Sequence, residues 1–267
     1  MNAETPKAAE LNLPQAFLLL ATNDSSGKPE VPVFALRTTL AGAILAELDL
    51  IGAIGLEGKR VRATGTAPQT DLQHELELIR GKSRPHTPKG WVSMLEGRAA
   101  VQRVYEGMAS LGIVERVGEK HLGRFRAVRY PEKDHAPEAS ILQKIQDTLS
   151  GAPWEPAKPE VKAPDAAPKS MATDAATTGA AASDSTAPDT AKPAAQAPTP
   201  ATPAAKAPDD RTTALMALLQ AAGLFGKLFP AADRVRAAEL AKDYWPSRAV
   251  EDELRLIRLA EEETATL

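Results

Sequence analysis

Leu40, Ile44, Leu48 and Ile51 recur at intervals of four, four and three residues, which places them on one face of a helix. Ala41, Ala43, Leu45 and Ala46 fill much of the remaining circumference, and Glu47 and Asp49 are the only charges. A helix apolar on so much of its surface has to be packed on several sides, so the stretch from Thr38 to Arg62 is expected to be the centre of the fold. Thr38 or Thr39 is placed to cap the helix and Gly52 to end it. Ala53 to Leu56 then reads as a short strand, Glu57-Gly58-Lys59 as a turn, and Arg60 to Gly65 as the return.

The same pattern rules order the rest. Asn12 precedes Pro14 and the run Phe17 to Leu20, the signature of a capped helix start with proline in the first turn. Val31 to Leu36, with Pro32 inside it, is expected to be extended at a sheet edge, with Arg37 where it meets the central helix. Thr70-Asp71-Leu72-Gln73 has the form of a capping box before the stripe Leu72, Leu76 and Ile79. A short helix carries Trp91 and Leu95, and a longer one runs from about Arg98 to Leu111. Gly112-Ile113-Val114 leaves that helix as Gly52-Ala53-Ile54 leaves the central one, and Val117, Leu122, Phe125 and Val128 mark a second hairpin. Ala136 to Leu149 is amphipathic through Ile141, Leu142, Ile145 and Leu149.

From Pro156 to Pro208 more than half the residues are Ala or Pro and none is aromatic. Ordering such a segment costs roughly 1–2 kcal/mol per residue, which its few larger aliphatic side chains cannot offset by burial. The expected organisation is a polar tail at 1–10, the N-terminal part of a helical domain at 11–155, a disordered linker insertion at 156–208, and C-terminal helices at 209–262 docking on the same domain. The fold class is mainly α: a helical core, amphipathic helices around it, and short β-hairpins, one protruding.

Composition narrows the chemistry. Cysteine is absent, which removes disulfides, thiol nucleophiles and cysteine-ligated metals together. No apolar run approaches the roughly 20 residues of a spanning helix, and the N-terminus lacks a signal-peptide pattern, so a cytoplasmic location is expected. His74, His86, His121 and His135 show no ligand spacing, so no metal is expected, nor any cofactor or catalytic residue: there is no nucleophile elbow, phosphate loop or dinucleotide fingerprint.

Between Arg116 and Lys133 the cations Arg116, Lys120, Arg124, Arg126, Arg129 and Lys133 face only Glu119 and Glu132, an excess of four. A hairpin of that kind is either a membrane-facing element or a solvated strand pair of mixed charge. Leu122 and Phe125 lie near its tip, where they would enter the acyl boundary or pack back on the preceding helix. Helix followed by hairpin, twice, is also the grammar of tandem winged helices, but a recognition helix needs cations, and a net charge of -3 offers little counterion release. A partner-binding scaffold without lipid is the third reading.

Taken in order, Leu11-x-Leu13 before Leu18-Leu19-Leu20, the core helix Gly42-x-x-Leu45-x-Glu47-Leu48-x-Leu50-x-Gly52, Ala67-Pro68 before Asp71, Trp91, Gly112-Ile113-Val114 and Ala214-Leu215-x-x-Leu218 resemble the Golgi phosphoprotein 3 family. That resemblance implies a peripheral membrane protein binding phosphatidylinositol 4-phosphate, held reversibly at the cytoplasmic face of a membrane. Its partners would be an anionic phospholipid headgroup and the membrane surface, not nucleic acid, with homo-oligomerisation left open. The family's headgroup pocket uses an aromatic and an arginine around the start of the core helix and two arginines one turn apart before the protruding hairpin. Arg98 falls on the first of that pair and Val101 on the second, while Ala41 stands at the core-helix arginine and Pro32 near the tryptophan. Phe34, Arg37 and Arg103 are the nearby substitutes. The membrane-facing set is Arg116, Lys120, Leu122, Arg124, Phe125, Arg126 and Arg129.

Overall fold

A computed structural model of the chain describes residues 11–65, 69–118, 120–121, 124–125, 128–151, 209–232, 234–242 and 244–265. They form a mainly α fold with short antiparallel hairpins. At its centre lies α2 (Val33–Leu50), in which every residue from Thr38 to Leu48 is buried. The helices α1 (Leu13–Leu20), α4 (Pro88–Leu95), α7 (Asp210–Ala221) and α10 (Trp245–Ala265) all pack against it. An apolar circumference makes that enclosure favourable, because no side of the helix needs water. It also removes α2 as a DNA-reading helix, since no face of its buried stretch could enter a groove.

Two details of α2 correct the sequence reading. The segment around Pro32 is not an extended edge: the helix starts at Val33, and Pro32 precedes its first residue, where a missing N–H costs nothing. Thr38 and Thr39 are therefore interior residues rather than caps. Thr38 Oγ1 donates to Glu96 Oε2 at 2.8 Å, whereas the buried Thr39 hydroxyl has no partner among the described residues. Removing an unsatisfied buried hydroxyl while keeping the shape is favourable. Thr39→Val should raise stability by about 1 kcal/mol in urea denaturation, and a loss of stability would show that this hydroxyl is in fact satisfied.

The expected capping box at Thr70 is also absent. Thr70 Oγ1 accepts from Leu72 N–H, and α3 (Gln73–Arg80) begins after Leu72 without a side-chain cap. Because Leu72 is buried at 4% exposure, packing sets the start two residues too late for Thr70 to serve. At α1 the reading holds: Asn12 and Gln15 form a reciprocal capping box, with Pro14 in the first turn.

Helix-to-hairpin transitions occur twice, as the sequence implies. Gly52, at φ 70°, ends α2, and Ala53 N–H returns to Leu48 O at 2.8 Å; β1 (Ile54–Glu57) then pairs with β2 (Arg60–Ala63). Gly112, at φ 78°, does the same for α5 (Arg98–Ser110), with Ile113 N–H on Met108 O at 3.0 Å. The left-handed conformation satisfies the last carbonyls and turns the chain outward.

A buried ion pair ties the C-terminal helices to the core. Glu47 accepts from Leu13 N–H at 2.9 Å and from Arg211 at 2.9 Å, and Arg211 also reaches Leu11 O. The carboxylate thus sits at the N-terminus of α1, where the free N–H groups and the helix dipole favour it. Where α10 crosses, Gly42 lets the backbones approach: a Cβ there would stand 2.2 Å from Val250 Cγ2. Trp245 Nε1 donates to Asp49 Oδ2 at 3.0 Å, and burial raises the Asp49 carboxyl above its ordinary range. The short helices α8 (Phe225–Leu228) and α9 (Arg234–Leu240) join α7 to α10. The linker expected at 156–208 lies outside the described residues, as does Trp154.

Candidate functional site

The hairpin after α5 is pinned at its base. Val114 pairs with Glu132 and Val117 with Arg129; Glu115 N–H donates to Pro131 O at 2.8 Å, and Val117 and Arg129 exchange bonds of 2.9 Å. Farther out, β3 (Lys120–His121) pairs with β4 (Arg124–Phe125). The root is aromatic. Tyr130 stacks on Tyr105 with ring centroids 4.3 Å apart, and the Tyr105 hydroxyl bonds Thr22 Oγ1 at 2.6 Å. Burial pushes the Tyr105 phenol up to about 12, so it remains neutral and the stack is undisturbed by ionisation at physiological pH.

On this base Arg116, Arg129 and Lys133 are exposed, and so are Val117 at 46% and Val128 at 44%. The two valines are an apolar component that the sequence reading assigned to the hairpin but not to its outward surface. Strand alternation alone cannot tell an exposed valine from one packed on α5. Glu132, counted above as offsetting the cations, turns inward: its side chain is 2% exposed and meets His135 Nδ1. For Lys120, Arg124 and Phe125 only strand membership is described, and Leu122 and Arg126 lie outside the described residues.

The headgroup candidates are distributed over two helices. Arg98 is exposed at the first position of α5, and Val101 is half-buried one turn later. Arg37 and Phe34 are half-buried on α2, and the Thr38–Glu96 bond sets that part of α2 beside the α4–α5 junction, two residues before Arg98. Ala41 is wholly buried, so its position cannot present a cation to a ligand. Arg103 projects elsewhere on α5 and is bonded to Glu75, whose side chain is 4% exposed. The fold therefore brings the Arg37 segment toward the Arg98 junction and commits Arg103 to a structural ion pair.

Beside the hairpin base the structure gathers Asp24, Glu132, His135 and Glu138, four residues the sequence spacing did not connect. They come from the loop after α1, the end of the hairpin, and the start of α6 (Ala136–Ser150). Burial, contact with Glu132 and repulsion from Glu132 and Asp24 push the Glu138 carboxyl up to about 8. Only residues near in sequence, 132, 135 and 138, were open to spacing arguments, and those lie across a helix boundary where helical periodicity does not apply.

Among the described residues no helix is long and apolar enough to cross a membrane. A search of curated proteins returns no match. The family model for Golgi phosphoprotein 3 (GPP34) matches residues 13–257, from the first residue of α1 into α10, taking in the central helix and both hairpins. With nearly the whole chain matched, the protein belongs to the Golgi phosphoprotein 3 family.

Proposed function

We propose that this is a non-enzymatic peripheral membrane protein that binds anionic lipid headgroups, phosphatidylinositol 4-phosphate among them, through the Arg116–Lys133 hairpin, with Arg98 at the edge of a headgroup site. The observation that carries the reading is the juxtaposition of exposed Arg116, Arg129 and Lys133 with exposed Val117 and Val128 on a hairpin rooted in the core. Family membership supports it. Each cation near an anionic surface contributes about 1 kcal/mol, so an excess of four gives about 4 kcal/mol, a millimolar dissociation constant. Inserting two half-exposed valines adds about 1 kcal/mol each, which moves the affinity to tens of micromolar. Charge brings the hairpin to the surface and the valines retain it there.

Selectivity follows from what surrounds Arg98. With Val101 and Ala41 unable to supply cations beside Arg98, and Arg37 half-buried on α2, a phosphate is enclosed less fully and discrimination among anionic headgroups is modest. The same reading takes 156–208 as an insertion within one helical domain, supported by the packing of α7 on α1 and α2 and of α10 on α2 and α4.

Liposome flotation across headgroups tests the reading. The full chain should float with vesicles containing phosphatidylinositol 4-phosphate, phosphatidylserine or phosphatidylglycerol, less so as salt rises, and not with neutral vesicles. Arg98→Ala should alter the preference among headgroups while leaving most of the binding. Absence of flotation on every anionic composition would make a partner-binding scaffold the better account.

A further inference from the structure

We propose that Asp24, Glu132, His135 and Glu138 form a binding site for a divalent first-row transition-metal ion, with zinc the best fit, at the base of the hairpin. One donor atom from each residue lies within 4.8 Å of every other. In a tetrahedral zinc shell with bonds of about 2.0–2.2 Å the donors stand about 3.4 Å apart, so the four need only a modest contraction. The backbone already holds the three segments together. Glu132 N–H donates to Asp24 O at 2.8 Å, Asp134 Oδ1 accepts from Ala136 N–H at 3.0 Å, and Gly27 packs so closely on Tyr130 and Pro131 that a Cβ would fall 2.5 Å from their backbone.

An independent feature points to a ligand. The Glu132 side chain is 98% removed from solvent, given its 2% exposure, yet among the described residues its Oε1 has no hydrogen-bond partner, while Oε2 meets His135 Nδ1. A buried carboxylate oxygen left unpaired is costly, and the Glu138 carboxyl beside it can satisfy it only while it keeps its proton. Three carboxylates this close repel one another unless one keeps its proton or a positive species sits among them. The donor set names the species. Imidazole nitrogen with three carboxylate oxygens suits zinc or manganese; magnesium retains most of its water and calcium asks for six to eight oxygens. Exposed His135 and Asp24 leave an entry path, and buried Glu132 supplies the inner wall. Since the ligands come from the loop after α1, the hairpin end and α6, a bound ion cross-links the hairpin base to the body of the fold. The inference stands apart from the membrane reading.

The test is zinc titration of the chelator-treated full chain, by calorimetry and by thermal denaturation, with cobalt as a spectroscopic probe. One zinc per chain should bind at micromolar concentration or tighter and raise Tm by several degrees, and cobalt should give the visible bands of a low-coordinate site. His135→Ala and Asp24→Asn alter exposed residues, and each should weaken zinc at least tenfold and abolish the Tm shift. Glu138→Gln should do likewise. Zinc affinity unchanged in these variants would place the metal on other surface histidines and overturn the proposal. So would the absence of binding, which would make the cluster a proton-sharing carboxyl pair, or a preference for calcium over zinc.

Discussion

Glu47→Ala should lower stability by about 3 kcal/mol, read as a fall in Tm of about 6–12 °C for a domain of this size. Glu47 is 6% exposed in its side chain and serves two donors at once, the Leu13 N–H at the start of α1 and the Arg211 guanidinium of α7. Truncation leaves a helix-end N–H without an acceptor and a cation without its counterion. The lower end of the range for breaking a buried pair applies because Arg211 retains 31% exposure and recovers some hydration. Glu47→Leu combined with Arg211→Met should recover part of the loss, since an apolar pair of similar size removes the unpaired charge, but not all of it, because Leu13 N–H still lacks an acceptor. A single-variant loss below about 1 kcal/mol would mean that water replaces the carboxylate and that this contact does not fasten α7 to the core.

The double variant Arg116→Glu/Arg129→Glu should weaken binding to anionic liposomes by about a thousandfold, to the level seen with neutral vesicles. Both side chains are exposed on opposite strands of the hairpin base, and the change shifts the local charge by four units, about 4 kcal/mol near an anionic surface. Neither ring of the Tyr105–Tyr130 stack is altered and Arg116 acts on Tyr130 only through its charge, so Tm should stay within about 2 °C of the parent, in keeping with exposed surface substitutions. Flotation that persists in this variant would locate the membrane contact away from the hairpin base. Val117→Ser/Val128→Ser separates the two components: attachment should weaken while the salt dependence of what remains is preserved, because only the apolar part is lost.

Much of the fold was legible because it rests on local chemistry. The apolar circumference of Leu40 to Leu48 states that α2 is enclosed without saying by what. Asn12, Pro14 and Gln15 fix the start of α1 through contacts spanning three residues, and Gly52 and Gly112 end their helices because glycine adopts positive φ without steric cost. The errors share a cause. Pro32 and the threonines at 38 and 39 carry the same local signals whether they precede a helix or lie within it, and only the burial of Ala35 and Leu36 against neighbouring elements decides. At Thr70 a complete capping sequence goes unused for the same reason: the burial of Leu72 sets where α3 begins.

The candidate sites depended on tertiary structure far more than the helices did. Sequence by itself determined the cation excess from Arg116 to Lys133, the absence of cysteine, the helix-then-hairpin order and, through the joint spacing of its marks, the resemblance to the family that the chain proves to match. Packing decided that Glu132 faces inward, that Val117 and Val128 face solvent, and that Arg103 is spent on Glu75. It alone brought Asp24 beside Glu132 and Glu138, across more than a hundred residues of chain. Charge and periodicity are properties of short windows and survive in the sequence. Which side of a strand meets water, and which distant acids meet each other, follows from how the whole core closes around α2.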